Sequence, residues 1–120
     1  MNLPNIETQS LQEIKYFQEA ELAKHLSYLK SNSKFYQSFF ALHKIDISSI
    51  KTLEDLAKIP CTTKEDLQLH NKDFICVDTS EIIDYITTSG TLGEPVTFAL
   101  TEKDLQRLSY NECYRLQFLN

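Results

Sequence analysis

Glycine is nearly missing from this 120-residue chain: there are two, Gly90 and Gly93, both in one short stretch. Folded chains normally spread glycine among their turns, because it tolerates positive φ. Its confinement here leaves every other turn to other residues and marks one loop as special. Cysteine is sparse too. Cys61, Cys76 and Cys113 are odd in number and include no Cys-x-x-Cys pair, which excludes a disulfide framework or zinc ribbon and predicts buried, reduced thiols. His25, His43 and His70 follow no ligand spacing, so no metal site is expected. Nothing approaches the roughly 20 apolar residues of a membrane span. Met1–Ser10 lacks the basic start and apolar stretch of a secretion signal, which makes the cytoplasm the expected location. Positive charge is in deficit, 12 Lys and Arg against 17 Asp and Glu, giving a net charge of -5. Nucleic acids and anionic membranes need a basic surface, so neither is an expected partner.

What remains is an ordinary globular balance, 42% hydrophobic and 24% charged residues, enough for one modest domain. From Ser10 the pattern is helical. Ser10 and Glu13 form a capping box, and Leu11, Ile14, Phe17, Leu22, Leu26 and Leu29 make an apolar stripe. Asn32-Ser33 should end this helix, and a second one through Phe35, Phe39, Phe40 and Leu42 should fold back on it as core. Two further helix starts, Thr52 to Asp55 and Thr62 to Glu65, each set a hydroxyl three residues before a carboxylate, with Pro60 between them. After Asn71 the period changes. Residues 82–88 and 95–100 read as strands, and Thr101 to Asp104 caps a last helix. Glu81 and Asp84 are expected on different faces, which argues against an acid–base pair, and Tyr85 is expected half-buried in a core.

Between the two strands lies Thr87-Thr88-Ser89-Gly90-Thr91-Leu92-Gly93-Glu94-Pro95, with four hydroxyls and both glycines. Glycines let successive N–H groups point inward and hydroxyls add adjustable donors, a combination suited to a polyphosphate, whose oxygens only accept. The loop is neither a nucleotide-triphosphatase P-loop, which needs four residues between its glycines and then a lysine, nor a three-glycine dinucleotide fingerprint. Chemistry alone leaves two readings open: a phosphate nest, or a polar hairpin turn.

The segment Ser89-Gly90-Thr91-Leu92-Gly93-Glu94-Pro95 resembles the phosphate loop of adenylate-forming enzymes, Ser-Gly-Thr-Thr-Gly-x-Pro. Two upstream stretches extend the resemblance to the phenylacetate–CoA ligase branch. Asn32-Ser33-Lys34-Phe35-Tyr36 is similar to its N-S-x-F-Y, and Leu53 to Pro60 followed by Thr62 to Leu67 is similar to its L-x-D-L-x-x-I-P-x-T-T-K-x-D-L. The resemblance runs from about Gln9 to Asn111. It implies an α/β chain, the N-terminal helices and first strands of a larger AMP-binding adenylation domain. Within 1–120, about 10–70 would be the helical region and about 74–120 a strand–phosphate loop–strand–helix region.

The implied activity is ATP-dependent ligation of a small carboxylic acid, aromatic acids first among them. The acid is activated with magnesium and ATP as an acyl-adenylate and then passed to a thiol, usually that of coenzyme A. By position, Thr88, Ser89 and Thr91 would donate hydroxyls to the ATP phosphates while Gly90 and Gly93 permit close backbone approach. Catalytic residues are expected downstream, so the 120 residues alone should be inactive. Two departures stand out: Leu92 replaces a threonine, and Glu94 stands where these ligases usually carry lysine. Like charges about 8 Å apart repel by roughly 0.5 to 2 kcal/mol, if Glu94 faces the phosphates rather than solvent. The competing readings are a helical interaction module whose loop has lost its ligand, and acyl transfer to an acceptor other than coenzyme A.

Overall fold

The computed structural model describes residues 6–89 and 93–117. These divide into two units, with the boundary between Cys76 and Val77. The first begins with α1, Leu11–Asn32, whose start is the expected capping box: the Glu13 N–H donates to Ser10 Oγ at 3.3 Å, and the Ser10 N–H donates to Glu13 Oε2 at 3.0 Å. The apolar stripe is buried only toward its end. Leu26 is in the core, whereas Leu11 in the first turn is exposed.

Ser33 is extended, and this breaks the helix. Its N–H donates to the Leu29 carbonyl, closing α1, and its hydroxyl accepts from the Tyr36 N–H, opening α2, Lys34–Leu42. The same hydroxyl donates to the Asp73 carbonyl at 3.0 Å, and the side chain is wholly buried. α2 then sends Phe35, Phe39 and Phe40 into a core with Leu26 and Ile50. Phe74 returns to stack on Phe35 at 3.9 Å between ring centroids. Each buried side chain of this kind is worth about 1.5–3 kcal/mol, so the aromatic face decides where α2 lies and the caps decide where it ends.

Glycine's scarcity is met by substitutes. Lys44 takes the left-handed turn after α2, at φ 53°, where glycine is usual, and the Ile45 N–H donates to the Phe40 carbonyl at 2.9 Å. Asp46 and Asp78 bend the chain by accepting from the N–H two residues on, at 2.9 Å each. The segment after Lys51 is tied to α1 by the Leu53 N–H donating to Glu19 and by a 2.6 Å Lys15–Glu54 ion pair. The Thr52–Asp55 start forms only a 3₁₀ turn, Glu54–Lys58. The next start falls one residue later than its sequence suggests. α3 is Lys64–Leu69, boxed by Thr63 and Asp66 rather than Thr62 and Glu65, because Thr63 is the extended residue and Asp66 therefore sits at the third helical position.

The second unit holds an antiparallel hairpin, β1 Ile82–Thr87 and β2 Thr97–Thr101, followed by α4, Glu102–Gln117. Ile83 is an extra residue in β1, a bulge between the Ile82–Thr101 and Asp84–Leu100 pairs. The α4 cap is as expected, with Thr101 N–H and hydroxyl both donating to Asp104 Oδ2 at 2.9 Å. α4 packs against β2. Tyr85 departs from expectation. It is 58% exposed, because the sheet has only two strands among the described residues and nothing within that hairpin covers its face.

Candidate functional site

The glycine motif connects β1 to β2. Gly90, Thr91 and Leu92 lie outside the described residues; Thr88, Ser89, Gly93 and Glu94 lie within them. Gly93 has φ 121°, a conformation L side chains rarely adopt, and a Cβ there would meet nothing within 4 Å. Glycine is required at this position by backbone angle and not by crowding.

The two stems are joined by hydroxyls as well as by the ladder. The Thr88 N–H donates to the Val96 carbonyl at 2.9 Å. The Val96 N–H answers by donating to Thr88 Oγ1, also at 2.9 Å. A side-chain oxygen thus stands where a strand carbonyl would in a continuing ladder, which ends β1 at Thr87 and lets the backbone leave the sheet. With its oxygen accepting, the Thr88 hydroxyl keeps its proton for another acceptor. One rung below, the hydroxyls of Thr87 and Thr97 bond across the strands at 3.1 Å. A threonine pair of this kind contributes roughly 0.2–1 kcal/mol. Val96 is almost wholly buried, while Thr88, Ser89 and Glu94 are exposed. Among the described residues of this stretch, the exposed Thr88 and Ser89 thus stand on a stem fixed by three short polar contacts, and the one acid between Thr87 and Thr97 is Glu94.

A sizeable hollow among the described residues lies elsewhere. A groove of about 720 Å³ in the first unit is lined by Phe35, Phe39, His43, Cys61 and His70, among others, and includes no residue of the glycine motif. The described residues contain no group of three or more side chains suited to a metal. Cys61 and Cys113 are exposed, against expectation. Cys61 follows Pro60 in an extended stretch that never enters the core, whereas Cys76 is partly buried and burial raises its thiol pKa. Thr97 and Val96 were not marked by sequence reasoning. The available signal was the symmetry of the loop's flanks, where hairpin pairing sets one β-branched hydroxyl opposite another.

No protein-family model matches the chain. The phenylacetate–coenzyme A ligase of Escherichia coli is 31% identical over 104 residues, which are 86% of this chain and 24% of that enzyme. The enzyme of the same name from Thermus thermophilus is 30% identical over 107 residues, 88% of this chain and 24% of its own. The chain is related to the phenylacetate–coenzyme A ligases. The relationship extends to structure. A 2-hydroxyisobutyryl-CoA ligase solved with 2-HIB-AMP and CoA superposes with a TM-score of 0.76 at 30% identity, over 84% of this chain and 23% of that one. The same ligase in its postadenylation state, with 2-HIB-AMP, gives 0.76 at 27% identity. The α/β arrangement of helices, hairpin and closing helix is thus part of an acid–CoA ligase fold of the adenylate-forming kind. The chain spans about a quarter of the length of these relatives.

Proposed function

We propose that this chain is the phosphate-binding part of a cytoplasmic ligase that activates a carboxylic acid as its acyl-adenylate and transfers it to coenzyme A. Thr88, Ser89, Gly90, Thr91 and Gly93 hold the phosphates of ATP. The observation that carries this reading is the stem of the loop. Thr88 has its oxygen engaged by Val96, so its proton is free to meet an anionic oxygen, and Gly93 holds a backbone turn that only glycine adopts easily. Relatives that bear an acyl-AMP and CoA support the same chemistry.

The loop's part is to place the leaving pyrophosphate and stabilise its growing charge, with no covalent step. Its donors fit phosphate oxygens and not a cation, so magnesium would be carried on the triphosphate, supplying charge neutralisation there. Reactive groups for the acid and the thiol belong to the other three quarters of such a ligase, and the 120 residues alone are inactive.

The test is acid-dependent exchange of pyrophosphate into ATP by the full-length protein. The acid panel begins with phenylacetate and 2-hydroxyisobutyrate. Exchange that appears only with an acid, and thioester that appears only on adding coenzyme A, is the expected result. A folded protein that exchanges nothing across the panel would instead fit a non-catalytic module, to which Leu92 and Glu94 lend weight. Adenylate without thioester would point to another acceptor.

A further inference from the structure

We propose that Thr97, which lies outside the glycine motif, is a positioning residue for the phosphates; the proposal rests on the ligase reading above. Thr97 opens β2 and faces Thr87, the last residue of β1. Because Thr88 and Val96 exchange hydrogen bonds at the next rung, the Thr87–Thr97 rung is of the kind that makes no backbone bonds, where opposing side chains come closest. The 3.1 Å hydroxyl contact is therefore the cross-link nearest the loop below Thr88.

Its consequence falls on Thr88. The Thr88 side chain accepts from the Val96 N–H at 2.9 Å only while the two stems keep one separation. The hydroxyl pair fixes that separation one residue away, and through it the direction in which the Thr88 proton points. Val96 is buried, so water does not readily take over its N–H if the stems part. A stem held in this way leaves less conformational freedom to be lost when Thr88 meets an anion, and that saving appears as affinity. Thr97 touches no phosphate in this scheme; it acts through Thr87, Thr88 and Val96.

The experiment uses the full-length protein and the exchange of pyrophosphate into ATP. Thr97→Val keeps the shape and strand preference of the side chain and removes only the hydroxyl. It should raise the KM for ATP about two- to fivefold, the size of one cross-strand pair, with kcat changed less than about twofold. Thr97→Ser should restore the KM. Thr87→Val should give a similar rise from the other strand, and the double variant should be little worse than either single one, since both remove the same cross-strand hydroxyl contact. Amide exchange at Val96 should quicken in each valine variant and not in the serine variant. An unchanged KM in both valine variants, with robust exchange by the parent, overturns the role of Thr97 and leaves the ligase reading standing. So does a loss shared equally by KM, kcat and melting temperature that serine does not rescue. If Thr97→Val does not fold, Thr87→Val and Thr97→Ser decide alone. A parent that shows no acid-dependent exchange overturns the ligase reading and this proposal with it.

Discussion

Ser33 shows how much one small side chain can be asked to do. Its hydroxyl caps α2, bonds the Asp73 carbonyl and has no exposed surface, while its own N–H ends α1. Ser33→Ala would leave the Asp73 carbonyl short of a donor and the Tyr36 N–H short of an acceptor, both at a partly buried site. Loss of the bonds should cost about 1–3 kcal/mol. The expected reading is a lower urea midpoint with an unchanged slope; a midpoint within error of the parent would show that water replaces both bonds. Half of this was legible. Asn32-Ser33 reads as a helix stop because serine competes locally for backbone groups. Its bond to Asp73 joins residues 40 apart, and no local pattern announces such a pairing. Gly93 was legible as special for its scarcity, and its backbone angle of φ 121° is a conformation that the turn reading of the loop allows for. Cys61 was misread because cysteine's usual burial says nothing about a particular extended stretch.

Helices and hairpin differ in how they are supported. α1 and α2 share a core of Leu26, Phe35, Phe39, Phe40 and Ile50. β1 and β2 pair only with each other among the described residues, and Ile86 and Phe98, opposite one another, are 47% and 43% exposed. A two-stranded ribbon is marginal in water, and α4 gives this one support on β2. In the 120-residue chain, amides of 11–42 should therefore outlast those of 82–101 in hydrogen exchange. Equal protection would mean that the hairpin is as firmly held as the helices. The helices, strands and final cap could be read from sequence since each has a local cause, in period, β-branching or hydroxyl-to-carboxylate spacing. Two things could not. The shift of the α3 box by one residue depends on which of Thr62 and Thr63 is extended. The exposure of Tyr85 depends on how many strands the sheet has.

At the scale of the whole molecule, acidity sets two effects against each other. The net charge of -5 means that mild acidification relieves repulsion. Against it stand carboxylates whose pKa values the fold lowers. Glu13 is held down by the Ser10 hydroxyl, Asp46 and Asp78 by Ser48 and Ser80, Glu54 and Asp55 by Lys15 and Lys58, and Asp104 by the Thr101 N–H. A carboxylate with a lower pKa when folded stabilises the fold fully above its unfolded value, and that contribution drains away as pH falls through the folded value. Ordinary carboxylates titrate near pH 4, so the melting temperature should be nearly level from about pH 7 to 5 and fall below about pH 4. Below the isoelectric point of about 5.1 the net charge turns positive, so repulsion then adds to the loss of these six caps and pairs. A melting temperature that held or rose below pH 4 would show that the lowered carboxylates contribute little to the fold.

The boundary at Cys76 also has a meaning in time. Every bond described for the first unit, from the Ser10 cap to the Ser33–Asp73 and Phe35–Phe74 contacts, joins residues that precede Val77. A ribosome adding about 5–20 residues each second needs on the order of seconds to deliver the hairpin and α4 after Cys76 has been made. Helices form in about a microsecond. Because the chain leaves the ribosome N-terminus first, the helical unit can close on its own aromatic core while the glycine motif is still enclosed in the ribosome. Phe35, Phe39 and Phe40 are then already buried and do not compete for the hairpin's strands.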